Sequence, residues 1–143
     1  MPNVQRSAMR AGTAAMVWLY RVSGGRVMGS ARGIPVLLLT VAGRTTGALH
    51  TTPVSFFEDE GSLVVTGSGG GSASEPQWFR NLRHADRAVV EVGKQRYDVT
   101  VAIVAPEAHD VMWERLLTHA PSFASYQRKV EREIPMAKLT RLG

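Results

Sequence analysis

Three apolar segments joined by two short turns, all between residues 34 and 66, most strongly limit what this chain can fold into. The segments are predicted strands and cover residues 34–41, 49–57 and 62–66. Gly43 and Gly47 bound the first turn, and the polar stretch 58–61 forms the second. Because parallel strands need a crossover of a dozen or more residues, connections this short join antiparallel neighbours. The pattern predicts an antiparallel meander whose first strand, a nearly continuous apolar run, is buried.

The rest of the chain adds helices and further strands. Predicted helices cover residues 75–82, 106–119 and 122–132, and predicted strands cover 87–92, 95–105 and 136–142. Ser74 is the expected N-cap of the first of these helices. Val111, Met112 and Leu116 form the expected core face of the second. The order α-βββ-α-ββ-α-α-β lacks the strand–helix alternation of a parallel sheet, so the predicted fold class is α+β, mainly antiparallel β, arranged as a sheet or barrel with flanking helices.

Charge is distributed one-sidedly along the sequence. The formal net charge is +5, yet no Asp or Glu precedes Glu58. The arginines of that stretch are Arg6, Arg10, Arg21, Arg26, Arg32 and Arg44. This is either a merely soluble basic surface or one that attracts a polyanion: nucleic acid, anionic lipid or a phosphorylated cofactor. We do not expect nucleic acid, because the strand aromatics Phe56, Phe57 and Tyr97 are too sparse for a stacking platform.

Residue content removes several classes of chemistry. The chain has no cysteine, which excludes disulfides, zinc–thiolate sites and cysteine nucleophiles. The four histidines lack metal-ligand spacing and clustered carboxylates, so no metal is expected. No apolar run approaches the roughly 18 residues of a membrane-spanning helix. A hydrolase is not expected either, since no convincing Gly-x-Ser-x-Gly elbow is accompanied by an ordered acid and base.

A basic amphipathic helix is predicted over residues 7–22, where apolar residues recur at helical spacing. We therefore divide the chain into a basic N-terminal helix or arm, residues 1–30, and a single domain, residues 31–143. The helix either packs on that domain or lies on an anionic membrane with Trp18 and Tyr20 at the interface.

Two glycine-bounded segments are candidates for holding an anion. Arg44 lies in the turn between Gly43 and Gly47, where its guanidinium either grips a phosphate or carboxylate or is simply solvated. The stretch 67–74 is almost entirely Gly and Ser, and no Gly-Lys-Ser/Thr follows it, so it is not a P-loop. It is either a flexible linker or a strand-to-helix loop whose backbone amides approach an anion or a flat ring closely.

The order and spacing of these motifs are more specific than any one of them. The segments are Ile34-Pro35-Val36, Gly43-Arg44-Thr45-Thr46-Gly47, Thr52-Pro53-Val54, Gly67-Ser68-Gly69-Gly70 and Pro76-Gln77-Trp78-Phe79-Arg80-Asn81-Leu82. Together they resemble the deazaflavin-dependent nitroreductase family, over roughly residues 10–142. The resemblance implies a split β-barrel related to the FMN-binding split barrels. It also implies an actinobacterial source and use of the 8-hydroxy-5-deazaflavin coenzyme F-420.

The resemblance also implies where the ligands bind. The expected cofactor contacts are Arg44, Thr45 and Thr46 of the turn; His50, Thr51, Thr52, Pro53 and Val54 of the following strand; Gly67, Ser68, Gly69 and Gly70 of the loop; and Gln77, Trp78, Phe79, Arg80 and Asn81 of the short helix. The acceptor is expected to contact Trp18, Phe123 and Tyr126. Tyr126 and Ser68 are the expected catalytic, proton-donating groups.

Two departures from the family pattern affect the cofactor. Thr45 stands where the turn usually has Lys, and Gly69 stands where the loop usually has Lys. Each lost charge-assisted contact weakens binding by about 1.5–3 kcal/mol, unless Arg44, Arg80 or Arg83 compensates. A shorter coenzyme tail, or FMN in place of the deazaflavin, is therefore an alternative. Phe123 is a third departure, at a position where Tyr is common.

The activity implied is hydride transfer from reduced coenzyme F-420 to an electron-poor acceptor, which is a quinone, an enone or a nitroaromatic. The alternatives are an FMN-dependent reductase on the same fold and a non-catalytic, cofactor-binding or membrane-associated protein. The expected partner is the small-molecule acceptor, together with a peripheral contact to an anionic membrane. The expected location is the cytoplasm, at the inner face of the cell membrane. The oligomeric state is left open.

Overall fold

The computed structural model describes residues 2–31, 33–68 and 73–142, with side chains of the first helix described from Thr13 onward. The helices are α1 (Pro2–Ser23), α2 (Gln77–Leu82), α3 (Pro106–His119) and α4 (Phe123–Lys129). The strands are β1 (Ser30–Ala31), β2 (Ile34–Ala42), β3 (Leu49–Asp59), β4 (Ser62–Thr66), β5 (Arg87–Val92), β6 (Gln95–Ile103) and β7 (Met136–Arg141). The predicted order of elements is confirmed, with the two-residue β1 added.

Strands β2 to β7 close into a barrel. Their order is β2-β3-β4-β7-β6-β5, and β5 pairs back onto β2 between Leu38↔Glu91 and Thr40↔Val89. All of these pairings are antiparallel, as the short connections require. The predicted split β-barrel with flanking helices is confirmed.

The barrel interior is filled by alternate side chains of each strand, because successive residues of a strand point to opposite faces. Leu37, Leu39 and Val41 of β2 point inward, and Phe79 and Leu82 of α2 belong to the same core. Val36 and Leu38 lie on the outer face under α1 and are also buried. Strand β2 is covered on both faces, which explains its continuous apolar sequence.

A second apolar cluster covers the outside of the barrel on another side. Phe57 and Val64 of the sheet pack there with Met112 and Leu116 of α3 and Phe123 of α4. Two local predictions about the helices are wrong. Val111 is 56% exposed, because the buried face of α3 turns past it to Met112. The N-cap of α2 is Pro76 with no side-chain hydrogen bond, so Ser74 does not cap that helix.

Strand β3 and helix α1 differ from their predicted bounds. Strand β3 continues to Asp59 because the second turn needs only Glu60 and Gly61, both with positive φ, as two-residue hairpin turns require. Helix α1 begins at Pro2, earlier than the predicted residue 7. None of the described helices combines the length and apolar character needed to cross a bilayer.

Candidate cofactor-binding cleft

An open cleft of about 1060 Å³ lies where α1, the β2–β3 turn, the start of β3 and α2 meet. Its lining residues are Thr13, Ala14, Val17, Trp18 and Arg21 of α1; Gly43, Arg44, Thr45 and Thr46 of the turn; Leu49, His50, Thr51 and Thr52 of β3; and Gln77, Trp78 and Asn81 of α2. These described lining residues include two arginines and no Asp or Glu. The cleft therefore has the charge of a site for an anionic ligand.

The turn that carries Arg44 is closed by its own hydrogen bonds. Gly43 N–H donates to Ala48 O at 2.8 Å, and Gly47 N–H donates to Gly43 O at 2.8 Å. Ala48 N–H donates to Thr46 Oγ1 at 3.2 Å. Gly47 has a φ of +76°, which residues with a Cβ rarely adopt. The local sequence thus fixes Arg44 at a defined position on the edge of the cleft.

Arg44 is oriented by two amide side chains of α2. Its Nη1 donates to Asn81 Oδ1 at 2.7 Å, and its Nη2 donates to Gln77 Oε1 at 2.8 Å. The Arg44 backbone N–H also donates to Asn81 Oδ1, at 3.1 Å, so this buried amide oxygen accepts two bonds. Both partners are neutral. They therefore hold the guanidinium in place without cancelling its charge.

Arg21, the other arginine of the cleft, is paired with a carboxylate. Its Nε and Nη2 donate to the two oxygens of Glu91 at 3.0 and 2.8 Å. The hydrogen bond to Glu91 raises the pKa of the Arg21 guanidinium above its ordinary value. Arg21 thus ties α1 to β5, and Glu91 offsets its contribution to the positive potential of the cleft.

The buried phenol of Tyr20 anchors α1 beside the cleft. Its hydroxyl lies 3.0 Å from Val36 O and 3.2 Å from Glu91 O, and it accepts the N–H of Gly93 at 2.9 Å. Tyr20 is 1% exposed, and this burial raises the pKa of its phenol. These bonds fix α1 on the barrel, so that the neighbouring Val17 and Trp18 line the cleft.

Aromatic rings and bare backbone line different parts of the cleft. Trp18 is 62% exposed, whereas Trp78 is half-buried and packs edge-to-face against Phe79 with ring centroids 5.5 Å apart. At Gly43 a Cβ atom would lie 3.2 Å from His50 Nε2, so a larger residue would crowd this wall. A planar ligand therefore has indole faces and a glycine backbone to lie against.

Most of the predicted cofactor contacts are brought together here. Arg44, Thr45, Thr46, His50, Thr51, Thr52, Gln77, Trp78 and Asn81 line the cleft. Six others do not: Val54 and Phe79 are buried in the barrel core, Gly67 and buried Ser68 directly follow β4, and Pro53 and Arg80 are half-buried. Gly69 and Gly70 lie outside the described residues.

The residues predicted to bind the acceptor are not brought together within the chain. Trp18 lines the cleft. Phe123 of α4 is buried in the apolar cluster between α3 and the sheet, and Tyr126 packs edge-to-face on it with centroids 5.0 Å apart. Neither is among the described residues that line the cleft, and neither is Ser68. The acceptor and proton-donor roles of Phe123, Tyr126 and Ser68 stay predictions.

Sequence reasoning missed most of the contribution of α1. The lining residues that were not predicted are Thr13, Ala14, Val17, Arg21, Gly43 and Leu49. Those of α1, together with Trp18, follow the spacing i, i+1, i+4, i+5 and i+8 and so share one helix face. The sequence shows that these residues share one helix face, but it does not show that this face borders the cleft.

Fold and cleft together define a class: a split β-barrel with a basic cleft, whose described lining residues include no carboxylate and suit a flat, anionic cofactor. Within the part of the chain that the structure describes, no group of His, Asp and Glu is arranged to hold a metal ion. The sequence profile of the F420H(2)-dependent quinone reductase family matches residues 13–141. The chain therefore belongs to that family.

Individual relatives agree with this assignment. An F420H(2)-dependent quinone reductase of Mycobacterium tuberculosis is 32% identical over 129 residues, which are 86% of this chain and 85% of the relative. A solved F420-H2 dependent reductase has a TM-score of 0.66 and 26% identity, and the match covers 73% of this chain and 93% of that one. A second solved chain, titled a domain-swapped dimer, is similar in fold, with a TM-score of 0.68, 24% identity and coverage of 94% and 98%.

Proposed function

We propose that this protein binds coenzyme F-420 in the cleft and transfers a hydride from its reduced form to an electron-poor acceptor, most simply a quinone. The observation that carries the proposal is Arg44, a cation held by two neutral amides in a cleft whose described lining has no carboxylate. Membership of the F420H(2)-dependent quinone reductase family supports both the cofactor and the acceptor class. The mycobacterial relatives support an actinobacterial source.

The residues present fit the coenzyme. Its phosphate and oligoglutamate tail is anionic, and Arg44 supplies an oriented positive charge at the edge of the cleft. Its ring is flat, and Trp78 and the backbone of Gly43 offer surfaces of matching shape. The threonine hydroxyls along the turn and β3 supply further hydrogen-bond donors and acceptors.

When bound, the coenzyme supplies the hydride, so the chain needs no nucleophile of its own. The chain's task is to bind, orient and desolvate. Arg44 and the Gly43–Gly47 turn would fix the tail, while Trp78 would fix the ring. Trp18 would cover the acceptor and exclude water, which brings the two reactants into close, parallel contact. We retain Tyr126 and Ser68 as proposed proton donors to be tested by substitution.

Of the two arginines in the described cleft lining, Arg44 is the one that has no carboxylate partner among the described residues. Thr45 lines the cleft without a charge. Arg83, a candidate for compensation, donates to both oxygens of Glu75 at 2.9 and 2.7 Å and also lies over the ring of Phe79. Its charge is therefore already balanced. We propose that the coenzyme tail is held less tightly than in relatives that keep both lysines.

Titration of the purified protein with oxidised coenzyme F-420, followed by tryptophan fluorescence, tests the proposal. We expect quenching that saturates, with tighter binding than a parallel titration with FMN. Trp78→Phe should remove more of the quenching than substitution of the exposed Trp18. Turnover of a soluble quinone by the reduced coenzyme separates a reductase from a carrier. Preference for FMN would refute the cofactor assignment, and binding without turnover would refute the enzymatic one.

A specific feature also favours peripheral contact with an anionic membrane, which we propose as a second property of α1. Trp18 and Val22 are 62% and 61% exposed on the helix, and Val27 beyond it is 44% exposed beside Arg26. Apolar and basic groups together bind anionic interfaces. Co-sedimentation with anionic and neutral vesicles tests this, with Trp18→Ala and Val22→Ser as variants. Equal recovery with both vesicle types would refute it.

A further inference from the structure

We infer that Arg132, which lies outside the cleft, is a positioning residue for cofactor binding: it ties the end of β4 to the segment that leads into α2. The inference rests on the proposed function, since it concerns how the wall formed by α2 is held ready for the coenzyme. Arg132 belongs to none of the predicted sites.

The geometry around Arg132 is that of a clamp. Its Nη2 lies 3.1 Å from Gly67 O, 3.3 Å from Ser68 O and 3.4 Å from Ser74 O. The first two carbonyls directly follow β4, and the third lies just before α2. One guanidinium group thus holds two chain segments that are six residues apart in sequence.

Arg132 is itself fixed from two helices. Gln127 of α4 uses both ends of its amide: Nε2 donates to Arg132 O at 2.8 Å, and Oε1 accepts Ile134 N–H at 3.0 Å. His109 of α3 is buried, and its Nε2 donates to Ile134 O at 2.7 Å. A carbonyl only accepts, so this contact requires the proton on Nε2. The segment from Arg132 to Ile134 therefore has a defined backbone position.

The same segment also contacts the end of β4 directly. Gly67 N–H donates to Pro135 O at 2.8 Å. A Cβ atom at Gly67 would lie 2.9 Å from the ring of Phe79 and 3.0 Å from Pro135, so a larger residue would displace one of them. Phe79 is fully buried in α2. The end of β4, the segment 132–135 that precedes β7, and helix α2 are thus packed as one unit.

This unit determines where the cleft residues of α2 lie. Gln77 and Asn81 orient Arg44, and Trp78 lines the cleft. If the segment before α2 loses its attachment at Ser74, the helix start gains freedom and the amides that hold Arg44 move with it. In catalysis, a misplacement of about 1 Å that originates far from the reacting groups can reduce the rate by roughly a hundredfold.

The test compares Arg132→Met, Arg132→Lys and the control Arg128→Met, which removes an exposed arginine near the end of α4. Three quantities are measured: the Kd for oxidised coenzyme F-420 at low and high salt, hydrogen exchange of the backbone amides of residues 77–84, and the free energy of unfolding in urea. The last measurement separates local positioning from a general loss of stability.

For Arg132→Met we expect about tenfold weaker binding, because a displaced Arg44 loses part of its charge-assisted contact with the anion. The salt dependence should become shallower, and exchange in 77–84 should become faster. Arg132→Lys should recover part of both effects, and Arg128→Met should match the wild type. Wild-type affinity and exchange in Arg132→Met would overturn the inference. So would weaker binding with a shallower salt dependence and unchanged exchange, because Arg132 would then contact the anion directly.

The exchange measurement also works without the coenzyme. If the wild type binds no coenzyme F-420, the proposed function fails. Faster exchange of residues 77–84 in Arg132→Met would then still support the positioning of α2, and unchanged exchange would overturn it.

Discussion

Helices cover two sides of the barrel, and they pack tightly on one side but leave a cleft on the other. On one side, α3 and α4 place Met112, Leu116 and Phe123 over Phe57 and Val64 of the sheet, forming a continuous apolar contact. On the other side, α1 and α2 approach the β2–β3 turn without closing on it, and a cleft of about 1060 Å³ remains. The first side contributes stability, and the second leaves polar groups available for a ligand.

Two arginines, Arg115 and Arg44, show the same contrast. Arg115, at the α3 side, donates to both carboxylate oxygens of Asp59 at 3.1 and 3.0 Å. Arg44, at the cleft, donates to the neutral amides of Asn81 and Gln77 and to no carboxylate of the described residues. A paired arginine fastens an element, whereas one oriented by amides keeps its charge for an anion. The two arginines therefore differ in their partners: a carboxylate offsets the charge of Arg115, whereas the amides around Arg44 do not offset its charge.

The largest expected effect is a loss of stability on the side of the barrel that α3 and α4 cover. Phe123→Ala should lower the free energy of unfolding by about 3–5 kcal/mol, because it leaves a cavity between α4 and the sheet. Urea unfolding measures this. The Kd for coenzyme F-420 of the folded protein should stay at its wild-type value. A loss of affinity with little loss of stability would instead support the predicted acceptor-side role of Phe123.

The next largest effect is expected when the positive charge of Arg44 is removed from the cleft. Arg44→Met should weaken coenzyme binding about 10- to 100-fold at low salt, the equivalent of about 1.5–3 kcal/mol, and the deficit should shrink at high salt. Fluorescence titration measures it. Arg115→Met removes an arginine paired with Asp59 and serves as the matched control, with an unchanged Kd. Equal affinity of Arg44→Met and wild type would mean that Arg44 is only a turn residue.

A third substitution tests how α1 is held. Tyr20→Phe removes the acceptor of Gly93 N–H inside the protein and should lower the free energy of unfolding by about 1–3 kcal/mol. Tyr97→Phe is the control, since that ring packs against Arg141 and its loss of a hydroxyl should matter little.

The contribution of Tyr20 to the free energy of unfolding should fall at alkaline pH. Burial raises the pKa of the folded phenol, so above the unfolded pKa of about 10 the unfolded chain loses its proton first. The stabilising contribution is therefore complete below about pH 10 and is lost as the pH rises. Wild type should lose more stability than Tyr20→Phe above that pH. Parallel pH profiles of the two proteins would contradict this.

The smallest effect concerns the ion pair beside α2. The hydrogen bond from Arg83 lowers the pKa of Glu75, so the pair stabilises the fold above the unfolded pKa of about 4.3 and loses its effect as the pH falls. Both side chains are partly solvated, so Glu75→Gln should cost less than about 1 kcal/mol at pH 7. The difference in urea unfolding between wild type and Glu75→Gln should be smaller at pH 3 than at pH 7. A constant difference would mean that packing, and not charge, is responsible.

The sequence predicted the barrel well because its signals are local. The apolar run of β2, the glycines of the β2–β3 turn and the short connections each depend on neighbouring residues. The predicted strands over 62–66 and 87–92 coincide with β4 and β5. The prediction failed at Val111, which is exposed beside the buried Met112, because the position of α3 on the sheet decides which of two adjacent apolar residues is buried.

The sequence by itself determined the order of helices and strands along the chain, the turn that presents Arg44, and the excess of positive charge before Glu58. Only the tertiary structure decided that α1 forms a wall of the cleft and that Asn81, 37 residues away, orients Arg44. It also decided that Phe123 lies away from Trp18 within the chain. The reason is physical: turn chemistry and periodicity act between neighbours, whereas these contacts exist only because barrel closure brings distant segments together.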